Sequence, residues 1–405
     1  MLQWMQWCQQ SFDLVKVQGR LICIGDGIKL PKEAKRQPGL KWMHHSSQNN
    51  NKPNRFIGHH FGCIAFIAAC SHQYRAILQA AQLHEGVDAI RQLDANENNA
   101  LYEKESVVVR MLSLIVIVAI RQKQPLYACL DAYFATAPAF VYANSFLMDN
   151  KQPWVHLITK AKSNYVAYLI DGQKKKKTFK LTSLFKHQDW FETAPHPLHP
   201  KRTVKFYWED LYWGALGLNI RFVWVIDQGH HFILMSSDQS LPALEILKIY
   251  GLRFNIEASF YVLKHVIGGF YYHFWSKLLV TATDKTSIHL SWTKDNPMAI
   301  NLLKKLEAIE RFVNLAIIAQ GILSYFALMK TKLVWGMCHH SSWLRTYSSN
   351  LPSEETVQRA CQVNILWGES TMIYTWIKKQ CKLDLKQKKM TKVPNHATLK
   401  HFLLT

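Results

Sequence analysis

One apolar segment of the chain carries charged side chains whose types and spacing could do chemistry. The segment from Ile249 to Trp275 reads IYGLRFNIEASFYVLKHVIGGFYYHFW. At about 100° per residue in an α-helix, Tyr250, Glu257 and Lys264 lie nearly on one line, and Arg253 precedes Glu257 by one turn. A carboxylate beside cationic groups stays ionised, so it can bind a divalent metal or face a phosphate. The spacing therefore predicts a polar stripe suited to metal or phosphate chemistry.

The residues beside this stripe predict that it is not a freely solvated face. Gly268 and Gly269 predict the end of the helix. An alternative interpretation is an ordinary amphipathic helix, in which an i,i+4 pair of Arg253 and Glu257 contributes about 0.2–0.5 kcal/mol. One helix does not decide between the two interpretations. The flanking apolar residues are Ile256, Phe260, Leu263 and Ile267 on one side, and Phe254 and Tyr261 on the other.

Two aspartates interrupt apolar segments elsewhere in the chain. Asp26 lies within GRLICIGDGIKL, and Asp131 ends the apolar part of LYACLDAYF. A carboxylate is costly to bury in such a segment unless it is paired or binds a metal. For either aspartate alone, a role in a turn or a helix cap is a sufficient explanation. Together with Glu257 they suit two-metal phosphoryl transfer, which needs carboxylates from separate elements around ions about 3.5–4 Å apart.

The segments that must position these acids alternate between strand and helix patterns. A long apolar stretch, LYEKESVVVRMLSLIVIVAIRQKQ, predicts a buried helix that ends before Pro125 and leads into the strand that carries Asp131. A further helix, APAFVYANSFLMDN, and a strand, WVHLITKAK, continue the alternation. This order predicts an α/β fold with a mixed sheet flanked by helices. The earlier strand candidates are GRLICIGDGIKL, RFIGHHFGCIAFIAA and QYRAILQAAQL, the last of which also has helical composition.

Changes in composition divide the chain into four predicted parts. Residues 1–163 form the first part of the α/β core, and residues 164–234 form a β-rich insertion with aromatic strands such as KRTVKFYWEDLYWG. Residues 235–345 return to helical patterns, including a buried helix from Asn301 to Ala327, and complete the core. Residues 346–405 form a basic C-terminal tail.

The charge of the chain restricts the class of partner. The chain has 405 residues, of which 49% are hydrophobic and 19% charged, and this balance excludes a disordered protein. Its net charge of +21 favours a polyanion partner such as DNA, because neutralising phosphates releases counterions. A membrane surface is the alternative partner. No amphipathic anchor helix is evident, and the longest apolar run, Val107 to Ile120, is too short to span a bilayer and contains Arg110. We therefore expect no membrane association.

Cysteine and histidine spacing gives no metal-site motif. The eight cysteines contain no C-x-x-C pair, which argues against a zinc ribbon and against a disulfide framework. Met1 to Gly19 lacks the apolar core of a signal peptide, so we expect a reducing cytoplasmic location. Adjacent histidines diverge in either regular structure and do not have the i,i+4 spacing of a metal-binding helix. Surface or core roles are expected for His44-His45, His59-His60, His230-His231 and His339-His340.

The polar stripe resembles a known family signature. Tyr250, Arg253, Glu257 and Lys264 fit the pattern Y-x2-R-x3-E-x6-K at every position. This pattern is similar to the signature of the DDE transposases of bacterial insertion sequences. The resemblance implies an RNase H-like core, interrupted by a β-rich insertion between the second and third acids.

Both aspartates lie in regions that resemble the same family. LDAYF, which contains Asp131, resembles the strand of the second aspartate, and the region around Asp26 resembles that of the first. Gly27 stands where many relatives have a further acid. The resemblance implies that Asp26, Asp131 and Glu257 hold two Mg²⁺ or Mn²⁺ ions, hard cations that suit oxygen ligands.

The resemblance also implies a reaction and roles for the cationic residues. The metals would activate water or a DNA 3′ hydroxyl for in-line attack and stabilise the leaving oxygen. Arg253 and Lys264 would bind phosphates beside the scissile bond, and Tyr250 would support that contact. The implied function is metal-dependent DNA cleavage and strand transfer, acting on transposon ends and target DNA. The resemblance also implies that the protein acts as a homodimer in a synaptic complex and that it is associated with the nucleoid.

One departure from the family leaves a second function open. Similar transposases carry a helical domain that recognises transposon ends ahead of the first catalytic strand, whereas about twenty residues precede that strand here. The sequence therefore predicts a truncated copy, one reading frame of a split gene, or a remnant. The alternative function is a catalytically silent remnant that only binds DNA.

Overall fold

Non-local strand pairing joins the two halves of the chain. The computed structural model describes residues 1–44, 55–70, 73–84, 106–171, 174–277, 279, 297–338 and 350–366. The first elements of the chain are helix α1 (Leu2–Ser11) and strands β1 (Lys16–Val17), β2 (Arg20–Pro31), β3 (Lys41–His44), β4 (Arg55–Cys70) and β5 (Gln73–Leu83). The three early strand candidates are therefore confirmed as β2, β4 and β5. Pairing with β4 overrides the helical composition of β5.

The middle of the chain contains the predicted helix and strand alternation. Ser106 caps the buried helix through its side chain, which accepts a hydrogen bond from the Val109 amide, and Lys123 ends the helix in the left-handed conformation. The predicted buried helix ahead of Pro125 is thus confirmed. The elements are α2 (Val107–Gln122), β6 (Leu126–Cys129), α3 (Ala137–Asn144) and β7 (Val155–Lys160).

The strands of the predicted insertion extend the same sheet. Strand β13 pairs antiparallel with β7, with Met235 opposite Thr159. The strands are β8 (Val166–Asp171), β9 (Lys174–Lys180), β10 (Glu192–His196), β11 (His199–Trp213), β12 (Leu218–Asp227) and β13 (His230–Ser236). The elements that follow are α4 (Ala243–Leu252), α5 (Asn255–Tyr261), a π-helical turn (Val262–Val266), α6 (Pro297–Met329), α7 (Thr331–Cys338) and α8 (Glu354–Leu366).

The described strands form one 13-stranded sheet that is mostly antiparallel. Its main path runs β3-β4-β2-β6-β7-β13-β12-β11-β8-β9, and β5, β1 and β10 pair with β4, β2 and β11. Within the described part, the parallel pairs are β2 with β6 and β6 with β7. The predicted mixed sheet flanked by helices is therefore confirmed.

Two hydrophobic cores cover the two faces of this sheet. One face packs against α1, α2 and α3 through residues such as Met111 and Phe140. The other packs against α4, α5 and α6 through residues such as Ile24, Ile249 and Ile309. Because side chains alternate along a strand, neighbouring residues of β2 belong to different cores. The face on which a polar residue of β2 lies therefore decides which helices it meets.

Helix α6 is the longest described helix. The predicted helix from Asn301 to Ala327 is confirmed within it. The segment Ile300–Met329 is long and apolar enough to cross a membrane, and half of its most apolar part is buried inside the protein. Leu302, Leu306 and Ile309 are fully buried against the sheet, which is the arrangement of a core helix.

Candidate active site

Parallel pairing of β2 with β6 brings the two aspartates to the same place. Ile24 is opposite Cys129, and each aspartate lies two residues beyond that pair, Asp26 within β2 and Asp131 just after β6. Asp26 and Asp131 therefore lie side by side at the carboxyl end of the parallel pair. Burial is the main cause of the raised pKa of Asp26, and the negative charge of Asp131 adds to it, as expected for two carboxylates in one site.

Asp131 caps the short turn that follows β6. Its Oδ1 accepts a hydrogen bond from the Tyr133 amide at 3.0 Å, and its backbone oxygen accepts one from Thr159 Oγ1 at 2.6 Å. The capping role that the sequence left open is thus present. Thr159 was not predicted from the sequence. The signal that could have found it is a polar residue near the carboxyl end of β7, the strand parallel to β6.

Asp26 is a mostly buried carboxylate in an acidic environment. Its Oδ1 accepts a hydrogen bond from the Gly27 amide at 2.7 Å. Burial, with smaller contributions from Asp131 and Glu257, raises the pKa of Asp26 to about 6, while the Gly27 amide and Arg253 oppose the shift. All three predicted acids are therefore close enough to interact electrostatically.

Arg253 links the first and third predicted acids. Its Nη1 lies 3.5 Å from Asp26 Oδ2, and its Nη2 lies 4.0 Å from Glu257 Oε1. Its guanidinium carbon lies 4.5 Å from the centre of the Phe254 ring. The guanidinium is buried, and its Nε has no hydrogen-bond partner among the described residues. A buried N–H group without an acceptor is costly, and a guanidinium is the donor that phosphate and carboxylate groups pair with best.

The continuous helix predicted through the polar stripe is wrong. Helix α4 ends at Leu252 and α5 begins at Asn255. Between them the chain tightens into i,i+3 hydrogen bonds, from the Ile256 amide to the Arg253 oxygen and from the Glu257 amide to the Phe254 oxygen. The predicted line of side chains at 100° spacing is therefore broken after Arg253.

The π-helical turn further changes the predicted stripe. Lys264 lies within this turn and is partly exposed. Among the described residues, Lys264 forms no ion pair with the three acids. The flanks also differ from each other, because Ile256 and Leu263 are buried whereas Phe254 and Tyr261 are more than half exposed. The expectation that the stripe is enclosed on both sides is thus wrong on the aromatic side.

Tyr250 packs beneath the arginine. Its side chain is buried, and burial raises its pKa to about 12. The Arg253 guanidinium carbon lies 5.8 Å from the centre of the Tyr250 ring. Tyr250 therefore supports Arg253, while the 61% exposed side chain of Glu257 reaches into solvent.

The donor set suits a hard divalent cation by its chemistry. Asp26, Asp131 and Glu257 offer carboxylate oxygens, which hard divalent cations prefer. Burial is the main cause of the raised pKa of Asp26, and repulsion from Asp131 and Glu257, which a cation would relieve, adds to it. In the part of the chain that the structure describes, no three His, Cys, Asp or Glu side chains have the spacing of a metal site. Arg253 supplies the positive charge between two of the acids.

A second surface on the same face of the sheet surrounds Trp208. Its ring is 43% exposed, and the Arg221 guanidinium carbon lies 4.1 Å from its centre. The two side chains line an open cavity of about 360 Å³ beside the start of α4. Tyr207, on the opposite face, packs against Trp224 instead. Strand alternation thus makes Trp208 the outward residue.

Comparisons with known proteins give little similarity. No family model matches the chain, and no curated protein matches it. Among solved structures, the chain is similar to the NurA nuclease from Sulfolobus solfataricus, with 11% identity and a TM-score of 0.24, over 64% of this chain and 86% of that one. A likeness of this size carries no argument about activity. The fold and site define an α/β protein in which Asp26 interacts with Asp131 and Glu257, and in which a buried arginine approaches Asp26 and Glu257.

Proposed function

We propose that this protein cleaves DNA strands in a metal-dependent reaction and joins them in transposition. The observation that carries the proposal is the parallel register of β2 and β6, which brings Asp26 beside Asp131, with Arg253 reaching both Asp26 and Glu257. The proposal includes an RNase H-like core and the DDE transposase signature. Its partners are transposon ends and target DNA, held by a homodimer on the nucleoid.

The residues of the site have separate roles in this proposal. Asp26, Asp131 and Glu257 would hold Mg²⁺ or Mn²⁺, which supplies nucleophile activation and stabilises the leaving oxygen. Arg253 would bind a phosphate of the DNA beside the scissile bond, and Tyr250 packs against the guanidinium and supports it. Lys264 binds a neighbouring phosphate from the π-helical turn.

A DNA-binding remnant without activity is the second candidate function. It is favoured by the absence, among the described residues, of three side chains at the spacing of a metal site. In this case Arg253 would simply neutralise Asp26 and Glu257. The net charge of +21 serves DNA binding equally in both functions.

Nicking of supercoiled plasmid DNA separates the two functions. The proposed enzyme converts supercoiled plasmid to open circles with Mg²⁺ or Mn²⁺, and EDTA stops the conversion. Ca²⁺ is the matched control, because it binds carboxylates but has looser geometry. Retained DNA binding without any metal-dependent nicking would leave the silent remnant as the function.

DNA affinity is expected to fall steeply with salt. Lys and Arg together exceed Asp and Glu by 21, and each phosphate contact contributes about −0.9 to the slope of log K against log salt. Titration of labelled duplexes between low and moderate salt measures this slope. Weak preference among sequences is expected as well. A flat salt dependence, or clear preference for one short sequence, would contradict the prediction.

Alanine substitutions are expected to separate core aromatics from a base-stacking one. Trp213→Ala is expected to lower the free energy of unfolding by about 3–5 kcal/mol, because Trp213 is buried in the core. Trp208→Ala is expected to lower the free energy of unfolding by less than about 1 kcal/mol, because the main contact that it removes is the one between Trp208 and Arg221. Stacking on an unpaired base contributes about 1–3 kcal/mol, so Trp208→Ala should impair DNA distortion.

Thermal unfolding and the fluorescence of a 2-aminopurine base in the duplex measure the two effects. Tyr207→Ala and Tyr212→Ala complete the series as partly buried controls. If all four substitutions destabilise the protein to the same degree, the stacking role is wrong.

A further inference from the structure

Three glycines leave a depression in the sheet face that packs against α2. Gly25 and Gly27 alternate with Asp26 along β2, and Gly62 of β4 is the register partner of Gly27. A methyl group added at Gly27 would lie 2.6 Å from His60 Nε2, and one at Gly62 would lie 2.9 Å from His84 Nε2. These contacts are too close for any larger residue, so the missing side chains are what admit the two imidazoles.

The two imidazoles lie against each other in this depression. The ring centres of His60 and His84 are 4.6 Å apart, with the ring planes at 66°. His84 is 1% exposed, and neither of its ring nitrogens has a hydrogen-bond partner among the described residues. Each such buried nitrogen destabilises the fold unless a bound group satisfies it. A ligand that pairs with imidazole nitrogen would remove this cost.

The thioether of Met111 closes the depression from α2. Its Cε would lie 3.1 Å from a methyl group at Gly62, and its Sδ 3.3 Å from one at Gly25. Met111 is itself buried. Two imidazoles and a thioether thus meet over three neighbouring glycines. His60 is partly exposed and offers a route from solvent.

The geometry points to a binding site for a soft monovalent cation of the copper(I) type, formed by His60, His84 and Met111. Thioether sulfur selects Cu(I), and imidazole is among its common ligands. Histidine binds a metal through a neutral ring. Burial lowers the pKa of His60 to about 3 and that of His84 to about 2, so both rings are neutral at pH 7.

The charges around the site favour a monovalent ion over a divalent one. Lys29 and Lys41 from the neighbouring strands act on His60, and Lys41 and Arg110 act on His84, each lowering the histidine pKa. A cation of charge two would be repelled more strongly by these groups than one of charge one. The site is separate from the three acids. Side-chain positions alternate along β2, so Gly25 and Gly27 lie on the face opposite to that of the Asp26 side chain.

Cu(I) titration of the full chain tests this site. Accessible thiols are first alkylated with iodoacetamide, because thiolates also bind Cu(I) and the buried cysteines are inert. Copper is then supplied without oxygen, in competition with bathocuproine disulfonate. One Cu(I) is expected per chain, and X-ray absorption at the copper edge is expected to show two nitrogen ligands and one sulfur.

Met111→Leu is the decisive variant, because it conserves volume and apolarity and removes only the sulfur. It is expected to weaken Cu(I) binding by at least about tenfold, since even loss of an outer-shell partner costs about 10–100-fold. Met235→Leu, at another fully buried methionine, is the matched control and is expected to bind as the wild type does. His84→Gln is expected to weaken binding as well.

Equal affinity of the wild type and Met111→Leu would overturn the proposal. A copper spectrum with sulfur ligands alone would overturn it too, because it would assign the metal to cysteines. If His84→Gln does not fold, Met111→Leu and its control still decide the outcome.

Discussion

Glu257→Gln is expected to reduce Mg²⁺-dependent nicking by about a thousandfold or more, because an amide replaces one of three carboxylates that would hold the metal. The same change is expected to alter the free energy of unfolding by less than about 0.5 kcal/mol. The side chain of Glu257 is 61% exposed, and its contact with Arg253 is long at 4.0 Å. Plasmid nicking and thermal unfolding, measured on the same preparation, give both quantities.

Glu245→Gln is the matched control for this prediction. Glu245 lies on α4, is partly exposed, and has an ion pair with Lys248 at 3.3 Å. The substitution removes the same charge from the same face of the protein without touching the acids. Its nicking rate is expected to equal that of the wild type. Equal nicking by Glu257→Gln and Glu245→Gln would show that Glu257 has no role in catalysis.

Asp26→Asn is expected to stabilise the protein at pH 7.5 by about 2 kcal/mol, because the pKa of Asp26 rises from 3.8 to about 6 on folding. The folded state therefore binds more protons than the unfolded state between these two values. The contribution of protonated Asp26 to stability is fully present below pH 3.8 and is lost as pH rises through 6. The gain from Asp26→Asn is thus expected to disappear as pH falls from 7 to 4.

Unfolding in denaturant across this pH range checks the prediction. Asp149→Asn, at an exposed turn residue, removes the same charge without burial and is the control. Added Mg²⁺ should narrow the difference between Asp26→Asn and the wild type, because a cation relieves the repulsion among the acids. A gain that does not depend on pH would mean that Asp26 is ionised as easily in the folded state as in the unfolded one.

Local patterns in the sequence were sufficient to predict strand β2 and helix α2. Alternating apolar residues predicted β2, and a continuous apolar stretch predicted α2. Both predictions succeeded because the spacing of apolar residues reflects whether one face or all faces of an element are buried. The isolation of Asp26 and Asp131 in apolar segments marked them as candidates. Their position side by side was beyond local patterns, since the pairing of β2 with β6 depends on contacts across more than a hundred residues.

Sequence reasoning failed where tertiary packing overrode helical periodicity. The signature spacing of Arg253 and Glu257 suggested one regular helix, yet the chain tightens between α4 and α5 and widens in the π-helical turn. Such irregular turns have no simple sequence signal, and they are frequent at functional sites. The aromatic Phe254, which lies in the tight turn, is exposed.

Because the three acids are far apart along the chain, the set of acids is complete only late in synthesis of the protein. Asp26 and Glu257 are more than two hundred residues apart, so at about 5–20 residues per second a ribosome adds the last acid roughly 10 to 50 s after the first. During this interval β2 lacks its parallel neighbour until β6 emerges. A nascent chain therefore has an open strand edge at which another chain can pair. It also has no complete set of acids, so the proposed nuclease is inert until α5 has left the ribosome.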